Sequence, residues 1–372
     1  MRSLKFLVSI VGLGVLGGLT KICAQISAPK YSNEFLQIGV GARAAAMGGA
    51  QSAIVSDVTA AYWNPAGLTQ GPEHPELALM HSEYFAGIAK YDYAGFALPV
   101  KAGGRFAASF IRLGVDDIPN TLNLIDASGN INYQNITLFS VTDMACLLSY
   151  AREMKFLKGL SLGGNTKIIY RRIGNFANAW GFGFDVGARY TWKRLHLGLT
   201  LSDASSTFNA WSFQTETFSS AFLATGNAIP QNSLEITLPS MRLGIAYQFF
   251  PAKKFGLLAC LDNAIFFDGQ RNVLISNSRM SVDPYAGIEG NYRKKIFLRA
   301  GYKNLQREVN DEGKRVYTIF PTAGVGIQLK GICLDYALTN IGDFSQTLYS
   351  HVFSLRFVID PNWVKKATAK KK

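Results

Sequence analysis

Charge is scarce in this chain of 372 residues: Asp, Glu, Lys and Arg make up only 17%. Soluble domains carry roughly 25%, so the composition argues against an ordinary water-exposed surface. Histidine occurs four times, at His74, His81, His196 and His351, and never at a ligand spacing, which excludes a recognisable zinc site. Cysteine also occurs four times. Cys23 falls in the leader, while Cys146, Cys260 and Cys333 lie far apart in alternating segments. An odd, scattered set gives neither a disulfide framework nor a metal knuckle; all three are expected as buried residues. There is no P-loop and no dinucleotide fingerprint. Gly159-Leu160-Ser161-Leu162-Gly163 spells a nucleophile elbow, but it lies inside an alternating segment and not at a strand-turn-helix junction. No catalytic residue, metal or cofactor is expected, and the chain is read as a non-enzyme. Beyond the leader, no apolar run approaches the ~20 residues of a membrane-spanning helix.

What is plentiful is apolar and aromatic: 48% of residues are hydrophobic and 12% aromatic. A chain with little charge and no spanning helix can still cross a bilayer as a closed barrel, because only there are all strand hydrogen bonds satisfied. The first 25 residues read as a secretory signal, with Arg2 and Lys5 at the start, an apolar core from Phe6 to Leu19, and a cleavage zone at Ile22-Cys23-Ala24-Gln25. The formal net charge is +13. Three of those charges (Arg2, Lys5, Lys21) leave with the signal. The rest form no nucleic-acid stripe; they sit largely in short turns and in the tail from Asp360 to Lys372.

From His74 onward the pattern has period two. Trp180, Phe182, Phe184, Val186, Ala188, Tyr190 and Trp192 share one face; Gly181, Gly183, Asp185, Gly187, Arg189 and Thr191 share the other. Aromatics at both ends with aliphatics between them suit a lipid-facing surface with two interface belts. The same alternation recurs in Leu195–Ser202, Ile296–Lys303, Ile332–Thr339 and Tyr349–Ile359. Strands are expected near 76–85, 90–100, 104–115, 140–151, 159–172, 178–192, 194–203, 238–250, 255–267, 283–293, 295–304, 316–329, 331–340 and 346–359. Fourteen is an even count, as a single-chain bacterial barrel requires. The fold class is thus all-β, a transmembrane antiparallel barrel.

Tight connections at 101–104, 152–158, 192–194, 251–254, 293–295 and 330–331 tend to alternate with long ones at 116–139, 204–237, 268–282 and 305–315. Short periplasmic turns and long outer loops have this rhythm, and an even count puts both termini on the periplasmic side. The tight turns are also the basic ones: Lys101, Arg105, Arg152, Lys155, Lys158, Lys193, Arg194, Lys253, Lys254, Arg293, Lys294, Lys295 and Lys330. Simple solvation explains such turns, and so does contact with the anionic phospholipid heads of the inner leaflet of the outer-membrane lipid.

The stretch Tyr31–Leu68 does not alternate. It is rich in small residues and closes on Asn64, Pro65, Ala66 and Gly67. Ser56 or Asp57 is placed to cap a short helix over 58–63, which Asn64-Pro65 ends, because the residue before proline avoids the helical region. Gly39, Gly41, Gly48 and Gly49 permit backbone to lie close on a wall. Arg43 requires a buried partner, and Trp63 is a packing residue. Asp185, Arg189, Arg299, Asp335 and Arg356, with Asn165, Lys167, Arg171 and Lys303, fall on the polar faces and are expected in the lumen. There they pair and knit the wall to a plug, or line a solute pathway. The expected division is signal peptide 1–25, hatch 26–72, barrel 73–359 and basic tail 360–372.

The small-residue segment ending in Asn64-Pro65-Ala66 ahead of a barrel resembles the hatch of FadL-type outer-membrane proteins. YSNEFLQIGVGARAAAMGGA and DVTAAYWNPAGL resemble, more specifically, the PorV/PorQ family of the Bacteroidota type IX secretion system. So do Asp117–Leu122, Asn232–Thr237 and Leu348–Leu355. This resemblance implies an outer-membrane location in a Gram-negative bacterium and a non-enzymatic part in secretion. The implied partners are secreted proteins with a C-terminal signal domain and a translocon or attachment-complex subunit, with no nucleic acid. The alternative is a FadL-like transporter of a hydrophobic solute, for which a lateral gap or kinked strand and an apolar pocket are the signs. A soluble periplasmic β-protein is a third reading.

Overall fold

The computed structural model describes residues 29–100, 103–125, 129–251, 254–309, 313–339 and 350–360. The expected signal peptide, and the basic tail beyond Asp360, lie outside them.

Seventeen strand segments join one sheet, and every pairing is antiparallel. Two couples of segments are collinear. Leu195–Ser202 and Thr207–Phe213 both run along Ala177–Trp192. Ser233–Thr237 and Ser240–Pro251 lie in turn against that couple. Ile275–Ser276 is a two-residue edge contributed by a loop. The wall therefore has fourteen strands. They are β1 (Glu76–Tyr84), β2 (Ala89–Val100), β3 (Gly104–Asn120), β4 (Thr137–Glu153), β5 (Leu160–Ile173), β6 (Ala177–Trp192), β7 (Leu195–Ser202 with Thr207–Phe213), β8 (Ser233–Thr237 with Ser240–Pro251), β9 (Phe255–Phe266), β10 (Ser281–Tyr292), β11 (Ile296–Val309), β12 (Arg315–Leu329), β13 (Ile332–Thr339) and β14 (Ser350–Val358). β1 pairs with both β2 and β14, Glu76 opposite Val358 and Glu83 opposite His351, so the sheet closes into a barrel.

Alternation sets the two faces of this wall. On β6, Trp180, Phe182, Phe184 and Val186 are 42–60% exposed on the outside, while Asp185 and Arg189 at the alternate positions are buried. The outer residues form the apolar band a bilayer needs; the inner ones face the lumen. Six hairpins turn tightly at one end, where β1 begins and β14 ends. Several of these turns are tight enough to need left-handed backbone, and it is supplied by Lys193, Arg293, Lys294 and Lys330, all with φ between 46° and 55°. A side chain in that region costs about 1–2 kcal/mol, which is why Asn and Gly usually fill such turns.

Several expected boundaries shift. β3 runs to Asn120 and β4 starts at Thr137, so the connection expected at 116–139 is shorter. Asp116-Asp117, expected to open that connection, form a bulge between Val115 and Ile118 in a continuing ladder. Part of the connection expected at 204–237 is also wall, Thr207–Phe213 and Ser233–Thr237, and the loop between them carries a short helix, Ser219–Ala224. Asp203–Ser206 and Leu238-Pro239 interrupt β7 and β8 without ending them. β11 likewise continues past 304 to Val309, through a register shift between Lys303 and Gln306. Arg105 is not a turn cation. It is buried, ion-paired to Glu76 at 3.6 Å and bonded to the Pro72 carbonyl oxygen. Cys260 and Cys333 are buried, but Cys146 is only half-buried, since it alternates with the inward Ala145 and Leu147 and so faces lipid.

Candidate functional site

The residues ahead of β1 lie inside the barrel. Val40, Ala42, Ala46, Met47, Ala53 and Val58 are fully buried there. Local sequence dictates how the segment folds. Helix α1 (Ala42–Ala46) has five residues and stops at Gly48 and Gly49, whose φ values of 63° and 88° suit glycine. Gly48 must also be small: a Cβ there would stand 2.2 Å from the Tyr302 carbonyl oxygen on β11. Helix α2 (Ala60–Trp63) is shorter than the 58–63 expected, with Thr59 at its N-cap. Asp57 accepts from the Thr59 amide at 2.9 Å and from its hydroxyl at 2.5 Å; Ser56 takes no capping position. Asn64 then turns extended, φ −163°, and its side chain accepts from the Ala66 amide to open a 3₁₀ turn, Pro65–Gln70.

Asn64 is the clamp of this segment. Its Nδ2 donates to the Ser52 carbonyl at 2.8 Å within the segment and to the Ala188 carbonyl on β6 at 3.0 Å. Pro65, Ala66 and Gly67 are buried beneath it. The wall makes room with paired glycines. Gly163 on β5 lies opposite Gly187 on β6, and a Cβ on either would strike Asn64-Pro65-Ala66 at 2.2–2.8 Å. Gly198 and Gly244, also a cross-strand pair, make the same room for Ser52. Gly287 and Gly301 do so for Met47. The alternation puts Gly187, Gly198 and Gly301 on polar faces, and Gly163 stands in the elbow-like string, but nothing in the sequence gives them a seating role; Gly244 and Gly287 went unmarked, although all lie on inward faces.

Trp63 is held from four sides. Its indole donates to the Val40 carbonyl at 2.9 Å, and its own carbonyl accepts from Thr200 at 3.0 Å. Gly39 and Gly49 lie against its ring. The Arg242 guanidinium sits 5.1 Å above the ring and donates to the Gly49 carbonyl at 3.2 Å. Gly41 presents its amide to Met80 Sδ at 2.9 Å.

The charges form a chain around the lumen. Arg43 makes a two-point bond with Glu289 on β10, at 2.8 and 3.1 Å. Glu289 also accepts from Arg299 at 2.7 Å, and Arg299 donates to Asp335 at 2.6 Å. Arg356 reaches Asp57 at 3.0 Å and Glu76 at 3.5 Å. Burial works against the charge on Asp57, yet Arg356, the bonds from Thr59 and Arg43 outweigh it and hold the carboxyl below its ordinary value. Arg189 donates to the Val55 carbonyl. Asp262, unmarked in the sequence, accepts from the Gln51 amide at 2.9 Å and the Ser52 amide at 2.8 Å. Asp185 stands apart from the segment's charges: with Asp203 it holds Lys167, at 2.8 and 2.5 Å.

That last cluster borders the interruption in the wall. Asp203 and Ser206 have φ of 54° and 59°. Across the interruption the ladder to β6 is replaced by the Asp203 amide donating to the Asp185 carboxylate at 2.8 Å and by Ala204 to the Phe184 carbonyl at 2.7 Å. Pro239 on β8 brings no amide to the same level. Two cavities flank the break. One, of about 50 Å3, is lined by Leu36, Tyr62, Trp63, Leu147, Lys167 and Asp203 among others. The second, of about 20 Å3, includes Leu238, Pro239 and Phe266. Both are bounded by Gln37 and Asp203, and neither holds more than a few waters.

A closed fourteen-stranded antiparallel barrel with an apolar outer band and a chain segment filling its lumen defines a FadL-like barrel of the outer-membrane type. Comparison with solved structures agrees at the level of fold. The toluene transporter TbuX of Ralstonia pickettii matches with a TM-score of 0.53 at 16% identity, over 87% of this chain and 99% of that one. The monoaromatic hydrocarbon channel CymD matches with a TM-score of 0.54 at 13% identity, over 87% and 98%. The Pseudomonas putida toluene transporter TodX matches with a TM-score of 0.50 at 13% identity, over 86% and 96%. No protein-family model matches the chain, and no curated protein does.

Proposed function

We infer that this protein is a non-enzymatic outer-membrane barrel that passes a small hydrophobic solute, with the interruption of β7 and β8 as the way through. The carrying observation is that interruption: neighbouring strands lose their ladder at one level, Asp203–Ser206 beside Leu238-Pro239, flanked by two cavities that share Gln37 and Asp203. Such a solute favours a lateral route, because the central lumen is blocked by a segment bonded to polar residues all round. A break in the wall instead opens toward lipid, where an apolar molecule partitions. Proteins of this fold described as toluene transporters and a monoaromatic hydrocarbon channel support the reading. The present cavities are too small for an aromatic ring, so they correspond to a closed state, and residues 32–37 must shift for passage.

A second reading draws on the same filled lumen. With segment 39–68 serving as a hatch that seals the barrel, the outer loops are free to handle a protein partner, as the PorV/PorQ resemblance implies for type IX cargo. One experiment separates the two. Cells lacking the gene are compared with complemented cells for uptake of a labelled monoaromatic hydrocarbon and for the content of the secreted fraction. Loss of uptake with an intact secreted fraction is expected. Unchanged uptake with loss of C-terminal-signal proteins would move the assignment to secretion.

A further inference from the structure

We propose that the tight-turn end of the barrel is a docking surface for anionic phospholipid head groups. The first observation is where the cations sit. Lys193, Arg293, Lys294 and Lys330 are exposed at the tips of three hairpins, and all four hold left-handed backbone. These are positions where Asn or Gly would be free of strain. A turn that needs only solubility has no reason to put lysine and arginine at its least favourable places. Left-handed residues at the opposite end are of another kind, among them Phe85, Ala86, Asp117 and Asn304.

The second observation is depth. The cations lie immediately beyond outward-facing aromatics. Trp192 is 58% exposed with the Lys193 ammonium 5.4 Å from its ring, and Tyr292 carries Arg293 at 5.2 Å. Phe255 packs on Tyr292. Aromatic rings of this kind mark the membrane interface, so cations one residue further stand level with head groups. The third observation is order. The Arg293 amide donates to the Lys254 carbonyl at 2.6 Å, Gln328 to the Lys295 carbonyl at 2.7 Å, and Gln248 to the Arg194 carbonyl at 3.0 Å. The turns are thus laced to their neighbours as a rim, so the backbone that carries the charges is fixed. Against this excess stand the exposed acids Glu73 and Glu153. The opposite end mixes signs, with Glu83, Asp117 and Glu216 exposed beside Arg172 and Arg279. Phosphate-bearing lipid heads, arranged in a plane at that depth, match such a rim better than a compact soluble anion does.

The test uses the full-length protein purified in detergent and native mass spectrometry, titrating phosphatidylglycerol or phosphatidylethanolamine with the same acyl chains. One variant combines Lys193→Asn, Arg293→Asn, Lys294→Gly and Lys330→Asn, which removes four charges while relieving the turns. Each cation near an anionic surface is worth about five-fold in binding. The wild type is expected to prefer phosphatidylglycerol, and the variant to lose about ten-fold or more of that preference with its heat-resistant folded band intact. A second variant, Lys155, Lys158, Lys254 and Lys295 each →Gln, leaves those four left-handed positions untouched, and is expected to weaken the preference in the same direction should the first fail to fold. Equal binding of the two lipids by the wild type, or a folded variant that keeps the preference, would overturn the proposal. So would loss of bound phosphatidylglycerol on adding inorganic phosphate at tens of millimolar, which would mark a bare phosphate site.

Discussion

Replacing Gly163 with alanine should unseat the N-terminal segment from the wall. The added methyl would lie 2.6 Å from the Pro65 carbonyl carbon and 2.7 Å from the Ala66 nitrogen. Unstrained carbon contacts sit at about 3.5–4.0 Å. These are main-chain atoms and cannot swing aside like a side-chain tip, so the Pro65–Ala66 peptide must retreat by roughly 1 Å. The bonds of Asn64 depend on that peptide. They run to Ser52 at 2.8 Å, to Ala188 at 3.0 Å and from the Ala66 amide at 3.1 Å. Overpacking costs about 1–3 kcal/mol and each weakened bond about 1 kcal/mol, so the loss should fall near 2–4 kcal/mol. Gly290→Ala is the control. It also lies in a strand, but the nearest atom to its methyl is the Leu298 carbonyl oxygen at 4.0 Å, so it should be neutral or slightly stabilising. Denaturant midpoints of both variants in detergent give the difference. Influx of a hydrophilic dye into cells reports whether the lumen has opened. If the Gly163 variant matched the Gly290 variant in both measurements, Asn64-Pro65-Ala66 would not be seated on β5 and β6 at all.

Two further outcomes follow from the charges. Arg43→Met breaks a two-point ion pair whose partners are 19% and 7% exposed, and should cost about 1–3 kcal/mol; Glu289 keeps Arg299, which limits the damage. A double-mutant cycle with Glu289→Gln should give a coupling of about 1 kcal/mol or more, and no coupling would mean that solvent already screens the pair. Asp57 supplies the pH test. Its carboxyl is held below the ordinary 3.8, so its stabilisation is fully present above that pH and is lost as pH falls through the lower, folded-state value. Asp57→Asn should therefore lower the neutral-pH denaturation midpoint and flatten its fall below about pH 4. An unchanged acid slope would show that other carboxylates carry it.

The wall was legible because each of its faces meets one environment. Period two in Trp180–Trp192 follows directly from lipid outside and lumen inside. The interruption was not legible, because Asp203-Ala204-Ser205-Ser206 carries the same turn chemistry whether a strand ends or merely kinks. Pairings were out of reach for a different reason. Arg43 and Glu289 are 246 positions apart, and only closure of the ladder fixes which inward carboxylate stands over α1. Polarity predicted that Arg189, Arg299, Asp335 and Arg356 point inward. It could not tell that Arg189 grips a carbonyl of the segment while Asp185 belongs to the break.

That division bears on how one chain could be sealed and still conduct. The inner part of the segment, Ala42–Leu68, is fixed to β5, β6, β10, β12 and β14, with paired wall glycines letting its backbone seat close on the wall. Its outer part hangs elsewhere. Ser32 bonds to Glu235, Asn33 to Thr237 at 2.7 Å, and Glu34 pairs with Arg271 at 3.1 Å. Glu235 and Thr237 lie on the upper piece of β8, beyond Leu238-Pro239, and Arg271 lies in the loop that follows β9. The outer part is thus tied to the far side of the break and the inner part to the near side. A displacement at the break would carry residues 32–37 with it and enlarge the cavity they line at Leu36 and Gln37, while Asn64 stays seated. On the proposed route, passage of an apolar solute and a sealed polar lumen are compatible, since separate parts of one segment would govern them.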